Sequence, residues 1–277
     1  MNNRDGFRPI SKSKTGNWES KIVQYCEKYN IPLFYLSDIL DEPKVIPMIR
    51  GKAFEFTVFD KLLSVLDKNV WQVKKPNMNA QLGFHDIDIQ VAHIKTGKTF
   101  SIECKLASKG SCKVINDKAK IQVKCMRSRT LGEGMVKNLS PKLKIPEGVL
   151  QIHNDQYLES DFEFVITSIG NAFYQTDNKG AFVFSPDKEQ AKFLKNFPGK
   201  NLQEETFNCL FIASSKKISI RQKNGVICTR QKCNDKGNCA FIPNYPIIQF
   251  NTSSLTPLNN WHHIEEASTL FTRELQL

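Results

Sequence analysis

A two-residue alternation of polar and apolar side chains constrains the fold of this 277-residue chain more than any other feature. It runs through the segments 70–74, 86–91 and 100–106, and this period predicts β-strands with one apolar face. The sequence between the last two segments has Thr96 and Gly97 at its centre, which predicts the turn of a hairpin. The chain must therefore build a sheet and cover at least one of its faces.

The rest of the pattern predicts helices and further strands around this hairpin. Helical spacing predicts helices over 17–29, 32–42, 47–68 and 187–197. Apolar runs predict strands over 162–170, 209–215, 218–222 and 247–252, with two short strands inside 171–185. The predicted fold class is α/β or α+β, with a mixed central sheet flanked by helices.

Two carboxylates and a lysine fall on the polar side of the predicted hairpin. Glu103 and Lys105 are two residues apart on one strand, and Asp88 lies on the other. Carboxylates held close repel one another unless a divalent cation lies between them, and Mg²⁺ is commonly bound by one or two carboxylates and several waters. A lysine beside such a site can stabilise a phosphate or help to deprotonate an attacking water. An ordinary surface hairpin with exposed ion pairs would also carry these residues, and it is the alternative.

Asp88, fourteen residues and then Glu103-Cys104-Lys105 resemble the PD-(D/E)XK nuclease signature in the form D…E-x-K. The resemblance covers about residues 47–130. No proline precedes the aspartate, and Asp86 competes with Asp88 for its role. We prefer Asp88 because a strand follows it directly.

Two further residues enter through this resemblance. The family carries a glutamate on a helix upstream of the hairpin, which is Glu55 here, and an amphipathic helix after the lysine, often with a glutamine. Gln122 is the candidate for that glutamine. The resemblance implies a nuclease core with an added C-terminal part.

The activity that the resemblance implies is Mg²⁺-dependent cleavage of double-stranded DNA. Asp88 and Glu103 would bind the metal, Glu55 would add to its shell, and Lys105 would position or deprotonate the attacking water. In-line attack would expel the 3′ oxygen and leave a 5′-phosphate. With no P-loop, helicase or methyltransferase signature, the chain looks most like a type II restriction endonuclease, with a cognate DNA methyltransferase as its functional partner.

The oligomeric state and two alternative functions stay open at this point. The chain could act as a monomer or a homodimer. One alternative function is a repair or recombination nuclease of the same fold, which would read DNA structure and not sequence. The other is a non-catalytic DNA-binding protein with a zinc site.

Positive charge is concentrated in one block. The chain has a net charge of +11, and residues 105–144 contain eleven Lys or Arg and only two acids, which makes +9. Such a one-sided block favours contact with phosphates. The DNA-binding candidates are Ser108, Lys109, Ser111, Lys113, Lys118, Lys120, Gln122, Lys124, Arg127 and Arg129. We expect the later ones on one helical face, with Gln122, Arg127 and Arg129 reading bases and the lysines contacting phosphates.

The cysteines indicate a reducing compartment. The first twenty residues lack an apolar stretch typical of a secretory signal, no run of about 18 apolar residues exists, and we expect a cytoplasmic protein with no membrane association. Cys228, Cys233 and Cys239 cluster, and His262 or His263 could complete a structural zinc site. The irregular spacing fits chance cysteines in a loop equally well.

The predicted domain organisation has three parts. We expect residues 1–16 to form a flexible arm and residues 17–225 to form the nuclease core with its DNA-binding insertions. Residues 226–277 would form a Cys/His-containing segment that could belong to the same domain.

Overall fold

The structure is a computed structural model, and it describes residues 17–76, 87–220, 228–234 and 240–276. The chain divides into two compact units between Ile49 and Arg50. The predicted arm 1–16 lies outside the described residues. None of the helices in the described ranges is long and apolar enough to span a bilayer.

The helices agree with most of the predicted ones. They are α1 (Trp18–Lys28), α2 (Leu36–Leu40), α3 (Ile46–Val65), α4 (Glu133–Leu143), α5 (Glu147–Ile152), α6 (Lys188–Leu194), α7 (Leu202–Asn208), α8 (Ser215–Ile218) and α9 (Ala267–Leu275). Short 3₁₀ turns cover Leu33–Tyr35, Gly170–Phe173 and Ile264–Glu266. The predictions over 17–29, 32–42, 47–68 and 187–197 are confirmed within a few residues at each end, where helix boundaries are least certain.

The strands assemble into a central sheet and two smaller sheets. They are β1 (Trp71–Lys74), β2 (Ile89–His93), β3 (Thr99–Leu106), β4 (Lys113–Ile115), β5 (Lys118–Gln122), β6 (Phe164–Ser168), β7 (Tyr174–Thr176), β8 (Phe182–Phe184), β9 (Leu210–Ser214), β10 (Ile247–Asn251) and β11 (His262–His263). The central sheet has the order β1-β2-β3-β6-β9-β11, a second sheet has the order β10-β5-β4, and β7 pairs with β8.

The central sheet is mixed, as predicted. The strands β1, β2 and β3 pair antiparallel, β3 and β6 pair parallel, and β9 pairs antiparallel with both β6 and β11. A parallel neighbour requires a long crossover, and residues 107–163 provide it with β4, β5, α4 and α5. The predicted turn at Gly97 is confirmed: its φ of 70° suits glycine, and its N–H donates to the His93 carbonyl at 2.8 Å.

Two apolar clusters cover the two faces of this sheet. On one face, Phe54, Val58 and Leu62 of α3 pack with Phe271 of α9 against the strands. On the other face, buried residues of β5, β10 and α6 pack against β6 and β9. Helices therefore flank the mixed sheet. Successive side chains of the β2–β3 hairpin point to opposite faces of the sheet.

One predicted strand is wrong. Within the range 218–222, Ile218 closes the short helix α8, and the Ser219 N–H donates to the Ser215 carbonyl at 3.0 Å. Residues 221 and 222 lie outside the described ranges. An alternation over five residues was too short to distinguish a strand from the end of a helix.

The C-terminal part of the chain joins both larger sheets. β10 pairs with β5, and β11 extends the central sheet beside β9. Residues 50–277 accordingly form one compact unit.

Candidate active site

Glu103 and Lys105 lie on the same side of β3 and contact each other. Lys105 Nζ donates to Glu103 Oε1 at 2.6 Å, and both groups are largely buried, with side-chain exposures of 19% for the lysine and 6% for the glutamate. Their neighbours Ile102 and Cys104 belong to the apolar cluster formed with α3. The alternative of an ordinary surface hairpin is wrong, because this ion pair is enclosed by the fold.

Asp88 lies directly before β2, at the open end of the hairpin and away from its turn. Ile89 pairs with Ile102, so the antiparallel register sets Asp88 opposite Glu103. The Cys104 N–H donates to Asp88 Oδ2 at 2.8 Å, where a backbone carbonyl would otherwise accept. This bond holds the Asp88 carboxylate against the backbone of β3, at the residue that follows Glu103.

Glu55 reaches the same region from α3. Its Oε1 accepts from Lys52 at 2.7 Å, and its Oε2 forms an ion pair with Lys75. Glu55 is itself buried, with 7% exposure. Two lysines thus neutralise this carboxylate, whereas Asp88 forms no ion pair within the described part of the chain.

The electrostatics of the site reflect three acids close together. Burial, and after it the charges of Glu103 and Glu55, raise the pKa of Asp88 to about 7, against the opposing effects of the Cys104 hydrogen bond and Lys105. Burial alone would lower the pKa of Lys105, but Glu103 and Tyr157 hold it above its ordinary value. Among the described residues of this site, the acidic group without a cation partner is therefore Asp88.

Tyr157 belongs to the site, although no pattern in the sequence indicates it. Its hydroxyl donates to Glu103 Oε1 at 2.9 Å and accepts from Lys105 Nζ at 3.2 Å. Tyr157 is 4% exposed and comes from the segment after α5, 54 residues beyond Glu103. No spacing rule links residues so far apart. Lys75, the partner of Glu55, was also missed.

The predicted helix after Lys105 is wrong. Residues 118–122 form the strand β5, and Gln122 is an exposed strand residue. Lys118, Lys120 and Gln122 alternate with the buried Ala119 and Ile121. A period of two was present in the sequence KAKIQVKC and could have identified the strand.

The strands β4 and β5 present a basic face to solvent. This basic face consists of Lys113, Lys118, Lys120 and Gln122, and the exposed Lys124 continues the alternation. Lys113 lies opposite Lys120 in the antiparallel register. Like charges directly opposite in a sheet destabilise it, and a polyanion would relieve the repulsion.

The other DNA-binding candidates are placed differently. Arg127 turns inward: its guanidinium pairs with Asp161, donates to the Gln156 carbonyl at 2.9 Å and lies over the Tyr157 ring. Base reading by Arg127 is therefore not supported, because its donors are engaged inside the fold. Ser111 is buried and bonds to the Gln122 backbone.

Three candidates remain at the surface or near it. Arg129 is exposed, Ser108 is half-buried with its N–H donating to the Gln122 carbonyl at 2.7 Å, and the exposed Lys109 donates to Thr176.

Two of the predicted zinc ligands do come together, but with an unexpected partner. Ligand atoms of His153, Cys228 and Cys233 all lie within 4.8 Å of one another, and we call these residues the thiol–imidazole cluster. Cys239, like Asp86 in the first site, lies outside the described residues. His262 pairs with Glu266 and His263 packs on Phe211, so neither belongs to this cluster.

No protein-family model, curated protein or solved structure matches the chain. The geometry of the two sites and the basic face is therefore the ground for any functional conclusion.

Proposed function

We propose that this chain is a Mg²⁺-dependent DNA endonuclease of the PD-(D/E)XK type, and specifically a type II restriction endonuclease. The observation that carries the proposal is the carboxylate site, defined as Asp88, Glu103 and Lys105. The hairpin ladder brings an acid that has no cation partner among the described residues beside a buried Glu–Lys pair. A purely structural role does not call for an uncompensated, largely buried carboxylate at this place.

The donor set fits Mg²⁺. Asp88 uses Oδ2 for the Cys104 N–H, and Glu103 uses Oε1 for Lys105 and Tyr157. Within the described ranges, the other oxygen of each carboxylate accepts no hydrogen bond, and carboxylate oxygens are the ligands that this hard cation prefers. When bound, Mg²⁺ supplies Lewis-acid polarisation of a phosphate and a site for water.

Glu55 is proposed to act at a distance from the metal. Glu55, Asp88 and Glu103 do not form a group whose ligand atoms all lie within 4.8 Å, and Lys52 and Lys75 occupy both oxygens of Glu55. We therefore assign direct binding to Asp88 and Glu103. Glu55 would act on the metal through a bridging water.

Lys105 is assigned charge stabilisation. Its Nζ donates both to Glu103 Oε1 and to Tyr157 Oη, and despite burial the neighbouring Glu103 holds the pKa of Lys105 above its ordinary value, so that the group is an ammonium. An ammonium stabilises the negative charge that accumulates on the phosphate as the water oxygen bonds to phosphorus and the bond to the 3′ oxygen breaks. The attacking water loses its proton to solvent, the departing 3′ oxygen takes a proton from solvent, and the products carry a 5′-phosphate and a 3′-hydroxyl.

The basic face supplies the second support for a DNA substrate. Its lysines are exposed on one side of β4 and β5, and the strands place no acid among them. Lysines contact phosphates without reading sequence, while Gln122 and Arg129 offer the donors used for base edges.

Digestion of supercoiled plasmid tests the proposal. With Mg²⁺ we expect discrete fragments with 5′-phosphate ends, and no cleavage in EDTA. Glu103→Gln and Lys105→Met should each lower the rate by about 100-fold or more, because each removes charge from the reacting centre. Glu189→Gln and Lys95→Met, which change exposed residues outside the site, should cut at the wild-type rate.

Each other outcome excludes part of the proposal. Cleavage of branched or single-stranded DNA without discrete plasmid fragments would support a structure-specific nuclease, and DNA binding without cleavage would support a binding protein. Asp88→Asn should be inactive and Asp86→Asn should be only mildly impaired. The reverse result would transfer the metal role to Asp86.

A further inference from the structure

A second set of metal-binding side chains joins the crossover between β3 and β6 to a later part of the chain. The thiol–imidazole cluster unites His153, which directly follows α5, with Cys228 and Cys233. All three residues are buried, and the two cysteines are thiols and not a disulfide. Two thiols and an imidazole converging in the interior supply three of the four ligands of a tetrahedral zinc site.

The imidazole of His153 is held in the orientation that a metal ligand needs. Its Nδ1 faces Gln156 Oε1, while Gln156 Nε2 donates to the Ile242 carbonyl at 2.9 Å. The amide is therefore oriented with its oxygen towards the ring, and Arg230 Nε also donates to that oxygen at 3.3 Å. A neutral His153 must carry its proton on Nδ1, which leaves Nε2 as the nitrogen with the lone pair.

This arrangement distinguishes the cluster from ordinary buried cysteines. Hydrogen bonding of one ring nitrogen to an outer partner fixes the tautomer of metal-binding histidines. The ring is further fixed by stacking on Phe241, with centroids 4.3 Å apart and planes 10° apart. The Cys112 and Cys125 thiols, which are equally buried, have no histidine grouped with them among the described residues.

We infer that His153, Cys228 and Cys233 bind a structural Zn²⁺ ion. Zn–S bonds of about 2.3 Å at a tetrahedral angle place two sulfurs about 3.8 Å apart. The ligand atoms of the three residues lie within 4.8 Å of one another, which agrees with this spacing. Thiolates and imidazole suit zinc, whereas the oxygens of Asp88 and Glu103 suit magnesium.

The zinc ion would attach the 228–234 segment to the end of α5. Arg230 already pairs with Asp155, and Cys228 and Cys233 pack in a third apolar cluster with residues of α4 and α5. The backbone from His153 leads in four residues to Tyr157, so the zinc site and the carboxylate site share one segment. Zinc binding itself does not depend on whether the chain cuts DNA.

Metal analysis of the full-length protein tests this inference. After dialysis without chelator we expect about one zinc per chain, because structural zinc sites bind tightly. Replacement of the zinc by Co²⁺ should give the absorption of thiolate-bound tetrahedral cobalt. Cys228→Ser, Cys233→Ser and His153→Ala should each lose most of the zinc, and Cys112→Ser should retain it as a buried-cysteine control.

Outcomes that would overturn the inference are equally definite. Wild-type protein that contains no zinc, and that shows neither a cobalt–thiolate spectrum nor a higher melting temperature when zinc is added, excludes the site. Retention of full zinc in Cys228→Ser and Cys233→Ser would place the ion elsewhere. Because wild-type metal content and the cobalt spectrum need no variant, misfolding of a variant leaves the test intact.

Discussion

The carboxylate site and the basic face both place like charges opposite each other on neighbouring strands, but they differ in burial. Antiparallel pairing sets Asp88 opposite Glu103 in the first and Lys113 opposite Lys120 in the second. The acids are largely enclosed, where an uncompensated charge is costly, and the lysines are exposed, where it is cheap. The enclosed site thus suits one small cation, and the open face suits an extended polyanion.

The largest effect that tests this comparison is expected on the basic face. Replacing Lys118, Lys120 and Lys124 together by alanine should reduce the slope of log affinity against log salt by about two to three units, since each lost phosphate contact removes about 0.9. DNA titrations in EDTA at several salt concentrations measure the slope without cleavage. The triple alanine variant of the exposed Lys188, Lys195 and Lys200 removes equal charge elsewhere and should keep the wild-type slope. If both triple variants gave the wild-type slope, the basic face would not be the surface that contacts DNA.

The same two regions show how far the sequence could predict this molecule. The β2–β3 hairpin and the pairing of Glu103 with Lys105 arise from local alternation, and the structure confirms both. The helix expected around Gln122 is wrong, because the family resemblance favoured a helix after Lys105 and took precedence over the alternation in that segment.

Long-range partners were beyond any local pattern. Tyr157 reaches Glu103 across 54 residues, and His153 meets Cys228 across 75 residues. Such contacts are set by tertiary packing, which leaves no periodic trace in the sequence. The zinc expectation therefore identified Cys228 and Cys233 but assigned the histidine wrongly.

Replacement of Tyr157 tests how its hydroxyl contributes to the carboxylate site. Tyr157→Phe keeps the ring packed against Phe162 but removes the hydroxyl between Glu103 and Lys105. We expect about a tenfold lower cleavage rate, since one hydrogen bond to a charged group contributes about 1.5 kcal/mol. The variant should also show a changed pH–rate profile and unchanged zinc content, whereas Tyr245→Phe, at an exposed position, should change none of the three. An unaltered rate and profile would reduce Tyr157 to a packing residue.

The last expected effect concerns the stability of the metal-free protein. The folded chain retains the Asp88 proton up to about pH 7, because burial and the neighbouring acids raise the pKa of Asp88 from 3.8 to about 7, whereas the unfolded chain loses it near pH 4. The stability that this proton contributes is complete below about pH 4, decreases between about pH 4 and pH 7, and is absent above.

Asp88→Asn should therefore make metal-free protein more stable at about pH 8, on the order of 2 kcal/mol, with a flatter dependence on pH between about 4 and 7. Urea unfolding in EDTA across this range measures it, and Asp60→Asn, an exposed change on α3, should follow the wild type. Added Mg²⁺ should stabilise the wild type at about pH 8 more than Asp88→Asn, because the variant lacks one of the two carboxylates assigned to the ion. A wild-type pH profile in Asp88→Asn would show that Asp88 is already compensated, and the contrast between the enclosed acids and the exposed lysines would not hold.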